Sequence, residues 1–170
     1  MRRLGIFLAA LACAIPATNA HASAQSTSTM RDENHSVSAT QKQLGQLRIP
    51  ALGVTSTIFQ GVTDAQFDIG VGEWPGGPQP GMNGNIVIGG HRTAAKRPFA
   101  KIDKLKKGDA IFLTRGGKTF RYQVTKTFIV TKNDVWITKP TATATLTLFT
   151  CHPVGKTSHR YIIRASYVSK

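Results

Sequence analysis

From Gly45 onward the chain alternates short apolar runs with clusters of glycine, proline and polar residues. The clearest pattern lies in residues 143–164. Thr143, Thr145, Thr147, Phe149 and Cys151 fall on one parity, and Ala144, Leu146, Leu148 and Thr150 on the other. A period of two rich in β-branched residues predicts a strand whose two faces are used differently. The strand stops at Cys151-His152-Pro153, because proline has no N–H for a sheet ladder. A second run, Arg160 to Tyr167, follows after a short connection. If the two strands pair antiparallel, the thiol ending one meets the guanidinium opening the next.

The same reading gives the rest of the domain. Leu47–Ile49, Val54–Phe59, Ile86–Ile88, Ala110–Arg115 and Lys118–Val130 read as strands. Ile86-Val87-Ile88 is unbroken and apolar, so it should be buried on both faces. Gly116-Gly117 is a two-residue hairpin signal. Thr63 caps one short helical turn over 63–67. Residues 71–85 hold five glycines and three prolines and read as a loop. Residues 93–107 form a long connection, packed down through Phe99, Ile102 and Leu105. Residues 131–141 form a loop with room for one helical turn. About eight short strands with little helix predict an all-β barrel or sandwich.

The N-terminus is organised differently. Arg2 and Arg3 precede an apolar run, Leu4 to Ile15, and Ala20-His21-Ala22 offers small residues for cleavage. Residues 1–22 therefore read as a secretory signal peptide or an uncleaved anchor. Residues 23–45 are mostly Ser/Thr-rich and polar, and read as a flexible spacer. The folded domain is expected over 46–170. Export leaves the formal charge of +14 at +12, since residues 1–22 carry two arginines and no acid. Such a surface attracts polyanions, and outside the cell these are anionic lipid heads or wall polymers rather than nucleic acid. The densest cationic patch runs through Arg92, Lys96, Arg97, Lys101, Lys104, Lys106 and Lys107; a merely solvated face is the other reading.

A processed chain keeps one cysteine, Cys151, which is either an inert core thiol or a reactive one. Its neighbours favour chemistry. His91 ends the Ile86–Ile88 strand, and Arg160 opens another. A thiol becomes nucleophilic beside imidazolium or guanidinium, and histidine can pass a proton to a leaving amine. Arginine cannot act as a base, so its use would be to hold an oxyanion or the substrate. By parity Arg164 is an equal candidate for that use. No carboxylate stands out in the sequence to orient His91. His152 and His159 would be needed, with His91 and Cys151, to make a metal site, but no chelating pair such as C-x-x-C is present. The eight acidic residues are few, and Asp32, Glu33 and Asp64 are expected away from any groove loop. No metal or other cofactor is therefore expected, and calcium and zinc should be dispensable.

Thr147-Leu148-Phe149-Thr150-Cys151 resembles the T-L-x-T-C signature of the sortases, cysteine transpeptidases of bacterial cell envelopes. Gly89-Gly90-His91-Arg92 is similar to the family's histidine segment, and Arg160 to Ala165 to its arginine segment. The resemblance covers roughly residues 46–168. Cys151-His152-Pro153 and the stretch 90–109 look most like class E, with class D the close alternative. The resemblance implies a closed eight-stranded β-barrel with His91, Cys151 and Arg160 as catalytic residues. It implies substrates bearing a C-terminal L-P-x-T-G or L-A-x-T-G sorting signal, and an amine acceptor from a wall precursor or a pilin. It also implies an exported enzyme at the outer face of the membrane or in the wall. A secreted basic module that binds wall polymer or lipid without catalysis is the competing reading.

Overall fold

The computed structural model describes residues 41–169. The expected signal peptide and most of the spacer, residues 1–40, lie outside them. Eight strands close into a barrel: β1 (Gln43–Ile49), β2 (Val54–Gln60), β3 (Val71–Glu73), β4 (Gly84–Gly89), β5 (Ala110–Arg115), β6 (Lys118–Thr131), β7 (Ala144–His152) and β8 (His159–Tyr167). One helix, α1 (Asp64–Ile69), joins β2 to β3, and the remaining helical pieces are short 3-10 turns. The order around the barrel is β1-β2-β3-β4-β7-β8-β6-β5. The eight-stranded all-β architecture expected from the sequence is the one found.

Most pairings are antiparallel, but β2–β3 and β4–β7 are parallel. A parallel pair needs a long crossover. Residues 90–143, which include β5 and β6, provide it between β4 and β7. The parity of the sequence becomes the two sides of the barrel wall. Leu146 and Leu148 of β7 and Ile163 and Ala165 of β8 point inward with Ile86, Ile88 and Leu113, all essentially inaccessible. Phe149 and Ile162 point outward into a second, smaller cluster with Val130 and Ile137. The outer face of β7 and β8 is thus itself covered, and that cover builds the site.

Two expectations change. The loop over 71–85 contains a strand, because Val71-Gly72-Glu73 pairs with β2 on one side and β4 on the other. Gly72 must be glycine there: a Cβ would sit 2.1 Å from the Gly61 carbonyl oxygen. The first strand also begins at Gln43, four residues before Leu47. By contrast Gly116 and Gly117 both take positive φ, 55° and 74°, as a tight hairpin requires. Glu73 is buried and paired with Arg115, whose Nε also donates to the Leu44 carbonyl at 3.2 Å. That arginine ties β5 to β3 and β1, where the barrel closes.

Candidate active site

Strand register brings the three sequence candidates to one level. In the parallel pair β4–β7, Gly89 lies opposite Phe149. His91 and Cys151 stand two residues beyond that pair in their respective chains. In the antiparallel pair β7–β8, Cys151 lies directly opposite Arg160. Histidine, thiol and guanidinium therefore end three adjacent strands. The His91 segment is pinned to β7 by two bonds: Gly90 N–H donates to the Phe149 carbonyl (3.3 Å), and Thr150 Oγ1 donates to the Gly90 carbonyl (2.7 Å). All three residues line one groove of about 550 Å3. Val62 and Phe67 form one apolar wall, Val135 and Ile137 the other, and Phe149 lies on the floor.

His91 is oriented by a residue the sequence did not single out. Its Nε2 lies 3.1 Å from Asp68 Oδ1, and Phe67 packs edge-on against its ring, with centroids 5.6 Å apart. Both residues come from α1, whose start is fixed by a capping box between Thr63 and Gln66. Phe67 in turn meets Phe149 edge-on at 6.3 Å. Gly89 makes this packing fit: a Cβ there would lie 2.4 Å from Phe149 and 2.7 Å from Phe67. A carboxylate at Nε2 fixes the ring and leaves Nδ1 as the nitrogen for proton transfer. The expectation that no carboxylate orients His91 is thus corrected. Asp64 is corrected too, since it lines the groove.

Arg160 and Arg164 have different surroundings. Arg160 Nη1 donates to the Thr157 and His159 carbonyls at 2.8 and 2.9 Å. Among the described residues no carboxylate pairs with it, and none accepts a bond from its Nε or Nη2 hydrogens. Arg164 is committed elsewhere. Its Nε donates to Thr147 Oγ1 (3.2 Å) and its Nη2 to the Ile137 carbonyl (3.2 Å), and burial pulls its pKa down. Thr147 Oγ1 donates to Asn85 Oδ1 at 2.7 Å, and Asn85 Nδ2 donates to the Ile137 and Lys139 carbonyls. Asn85, Thr147 and Arg164 thus clamp the 3-10 turn Val135–Thr138 onto the outer face of the sheet. That turn is a wall of the groove.

Arg92, expected in the surface patch, is buried instead. Its Nη2 pairs with Asp103 at 3.0 Å, and its Nη1 bonds His152 Nδ1 at 2.9 Å. A guanidinium only donates, so His152 accepts at Nδ1 and carries its hydrogen on Nε2. The cluster joins the start of the β4–β5 connection to the end of β7, next to Cys151. His159 is exposed, and its Nδ1 bonds Ser158.

A family model described as the sortase domain matches residues 47–168. Sortase D of Bacillus subtilis (strain 168) is 35% identical over 129 residues, covering 74% of this chain and 64% of that protein. Sortase A of Listeria monocytogenes is 28% identical over 119 residues, covering 70% and 54%. The chain therefore spans somewhat over half the length of these curated relatives. Among solved structures, the lid mutant of sortase A from Corynebacterium diphtheriae superposes with a TM-score of 0.72 at 28% identity, covering 76% of this chain and 72% of that one. The sortase D5 transpeptidase of Clostridium perfringens gives 0.68 at 26% identity, covering 84% and 91%.

Proposed function

The chain belongs to the sortase family, and from that premise we propose that it is a cysteine transpeptidase acting through Cys151, His91 and Arg160. The observation that carries this reading is the single level shared by these residues at the ends of three adjacent strands. Cys151 Sγ attacks the threonine carbonyl of an L-P-x-T-G or L-A-x-T-G sorting signal. The S–C bond forms and the C–N bond to glycine breaks, with His91 Nδ1 giving a proton to the leaving amine. The thioester is then taken up by an amine of a wall precursor or a pilin, whose proton returns to His91. The Arg160 hydrogens left free by the loop carbonyls hold the developing oxyanion or the substrate backbone. The apolar groove around Phe67, Phe149 and Val135 suits the apolar side chains of such a signal. The enzyme works outside the membrane, delivered by its N-terminal signal.

The class is E by its Cys151-His152-Pro153 segment. Class D remains the second reading, favoured by the Bacillus subtilis relative. Mass spectrometry of the protein with sorting-signal peptides and candidate amines tests the activity. We expect a peptide thioester on Cys151 that an amine discharges. An alkylation-resistant Cys151 that never acylates would favour the binding-module reading. The carboxylates lining the groove, Asp64 and Asp134, belong to no cluster of three or more ligating groups among the described residues, as a hard cation would require. Activity is therefore expected to survive a chelator, and loss restored by calcium would refute this.

A further inference from the structure

The β4–β5 connection carries a cationic surface that the transpeptidase reading does not use. Its backbone is a run of i→i+3 turns: Arg97 N–H to Ala94, Ala100 to Arg97, Ile102 to Phe99, Lys104 to Lys101, and Leu105 to Ile102. Three residues per turn put every third side chain on one face. Phe99, Ile102 and Leu105 are accordingly buried, at 0%, 0% and 4% exposure. The offset series Lys101, Lys104 and Lys107 is exposed, as are Lys96, Arg97 and Lys106. The nearby acids do not neutralise them. Asp103 is turned to buried Arg92, and Asp109 accepts from the Lys106 backbone N–H at 2.8 Å. Among the described residues none of the six exposed cations is in an ion pair with a carboxylate.

The surface is also concave at one end. Lys96, Arg97 and Lys101 line a shallow cleft of about 380 Å3 together with the hydroxyls of Thr55 and Ser56 and the apolar Leu52, Val54, Pro98 and Ala100, and no carboxylate lines it. Arg97, which lines the cleft, and Ala95 two residues before it hold left-handed backbone, with φ of 36° and 47°. Such a conformation disfavours residues other than glycine. Cations, hydroxyls and an acid-free concavity make a receptor for phosphate oxygens.

We propose that this cleft and the lysine ridge leading from it bind a linear phosphate-bearing polymer. One phosphate docks among Lys96, Arg97 and Lys101, and the chain continues along Lys104 and Lys107. A polymer fits better than a bilayer because the exposed large apolar residues, such as Trp74, Val135 and Val154, lie elsewhere in the chain. The ridge offers no apolar side chain to insert among acyl chains.

The test is fluorescence anisotropy with labelled long-chain inorganic polyphosphate on the intact protein. The triple variant Lys96→Gln, Arg97→Gln, Lys101→Gln is compared with Lys118→Gln, Arg121→Gln, Lys126→Gln, which removes equal charge from β6. The cleft variant should bind at least tenfold more weakly and the β6 variant within about twofold of the parent. The slope of log affinity against log salt should shrink by about two for the cleft variant. Equal weakening of both variants would mean that net charge alone attracts the polymer, and would overturn the proposal. So would stronger binding to phosphatidylglycerol vesicles, or competition by monomeric phosphate as effective as that by the polymer. Peptide thioester formation by the cleft variant should match the parent, so failure here is separable from failure of the transpeptidase reading.

Discussion

Arg160 and Arg164 stand four residues apart on one face of β8, yet Arg160 lies opposite Cys151 while Arg164 is tied to Thr147 Oγ1 and the Ile137 carbonyl. Arg160→Ala is expected to slow thioester formation by about two to three orders of magnitude, as loss of an oxyanion donor does. Arg160→Lys should restore little, because an ammonium lacks the planar fork. Arg164→Ala should keep acylation within a few-fold while lowering stability by about 1–3 kcal/mol, since Thr147 and the Ile137 carbonyl lose a charged donor. Rates of acylation with circular dichroism melts decide both; a dead but folded Arg164→Ala enzyme would reverse the assignment. At Asp68 the expectation is subtler. The carboxylate is largely exposed, so Asp68→Asn should leave the melting temperature unchanged. A ring freed to swing should still cost about one to two orders of magnitude in kcat/KM, with the loss mostly in kcat.

The elements were legible to different degrees for physical reasons. β7 announces itself by its period of two, and β8 by the apolar run Tyr161-Ile162-Ile163 that follows a short connection. β3 does not, because three residues around a glycine cannot show a period, and their pairing is dictated by the neighbours. Asp68 was hidden for a related reason: its position depends on how Phe67 seats α1 against Gly89 and Phe149, which no spacing encodes. Arg92 read as one more cation in a run until Asp103 and His152 claimed it. The 3-10 turn Val135–Thr138 was expected only as room for one helical turn, and besides the clamp of Asn85, Thr147 and Arg164 a carboxylate at its start holds it. Asp134 accepts from Thr131 Oγ1 and N–H at 2.6 and 2.7 Å and from Trp136 Nε1 at 3.2 Å. The Thr131 hydroxyl and N–H together hold its carboxyl below the usual carboxylate value. A depressed pKa means these bonds stabilise the turn above the ordinary carboxylate range. They are lost as pH falls through the lower, folded value. Emission of Trp136 in a Trp74→Phe background should therefore step at acid pH, below the ordinary carboxylate range. Asp134→Asn should remove that step, and an unchanged step would refute the link.

For the molecule as a whole, closure depends on a pair that does not line the groove. Glu73 is 6% exposed and Arg115 bonds both it and the Leu44 carbonyl. Removing one partner of a buried pair costs about 3–5 kcal/mol, because the other charge is stranded. Glu73→Ala should lower denaturant stability by about that amount, and the double variant Glu73→Ala, Arg115→Met should recover part of it. A single variant as stable as the parent would show that the pair is not what closes the barrel.

The parallel joining of β4 to β7 has a consequence for timing. His91 and Cys151 are sixty residues apart and become neighbours only when those two strands pair, while Arg160 arrives on the last strand. A chain emerging from the ribosome or threading through an export channel thus carries His91 first and its thiol next, with Arg160 still to come. Until β8 has been delivered and the crossover has folded back, the nucleophile has no complete set of partners. The topology thus ties completion of the proposed catalytic set to completion of the barrel.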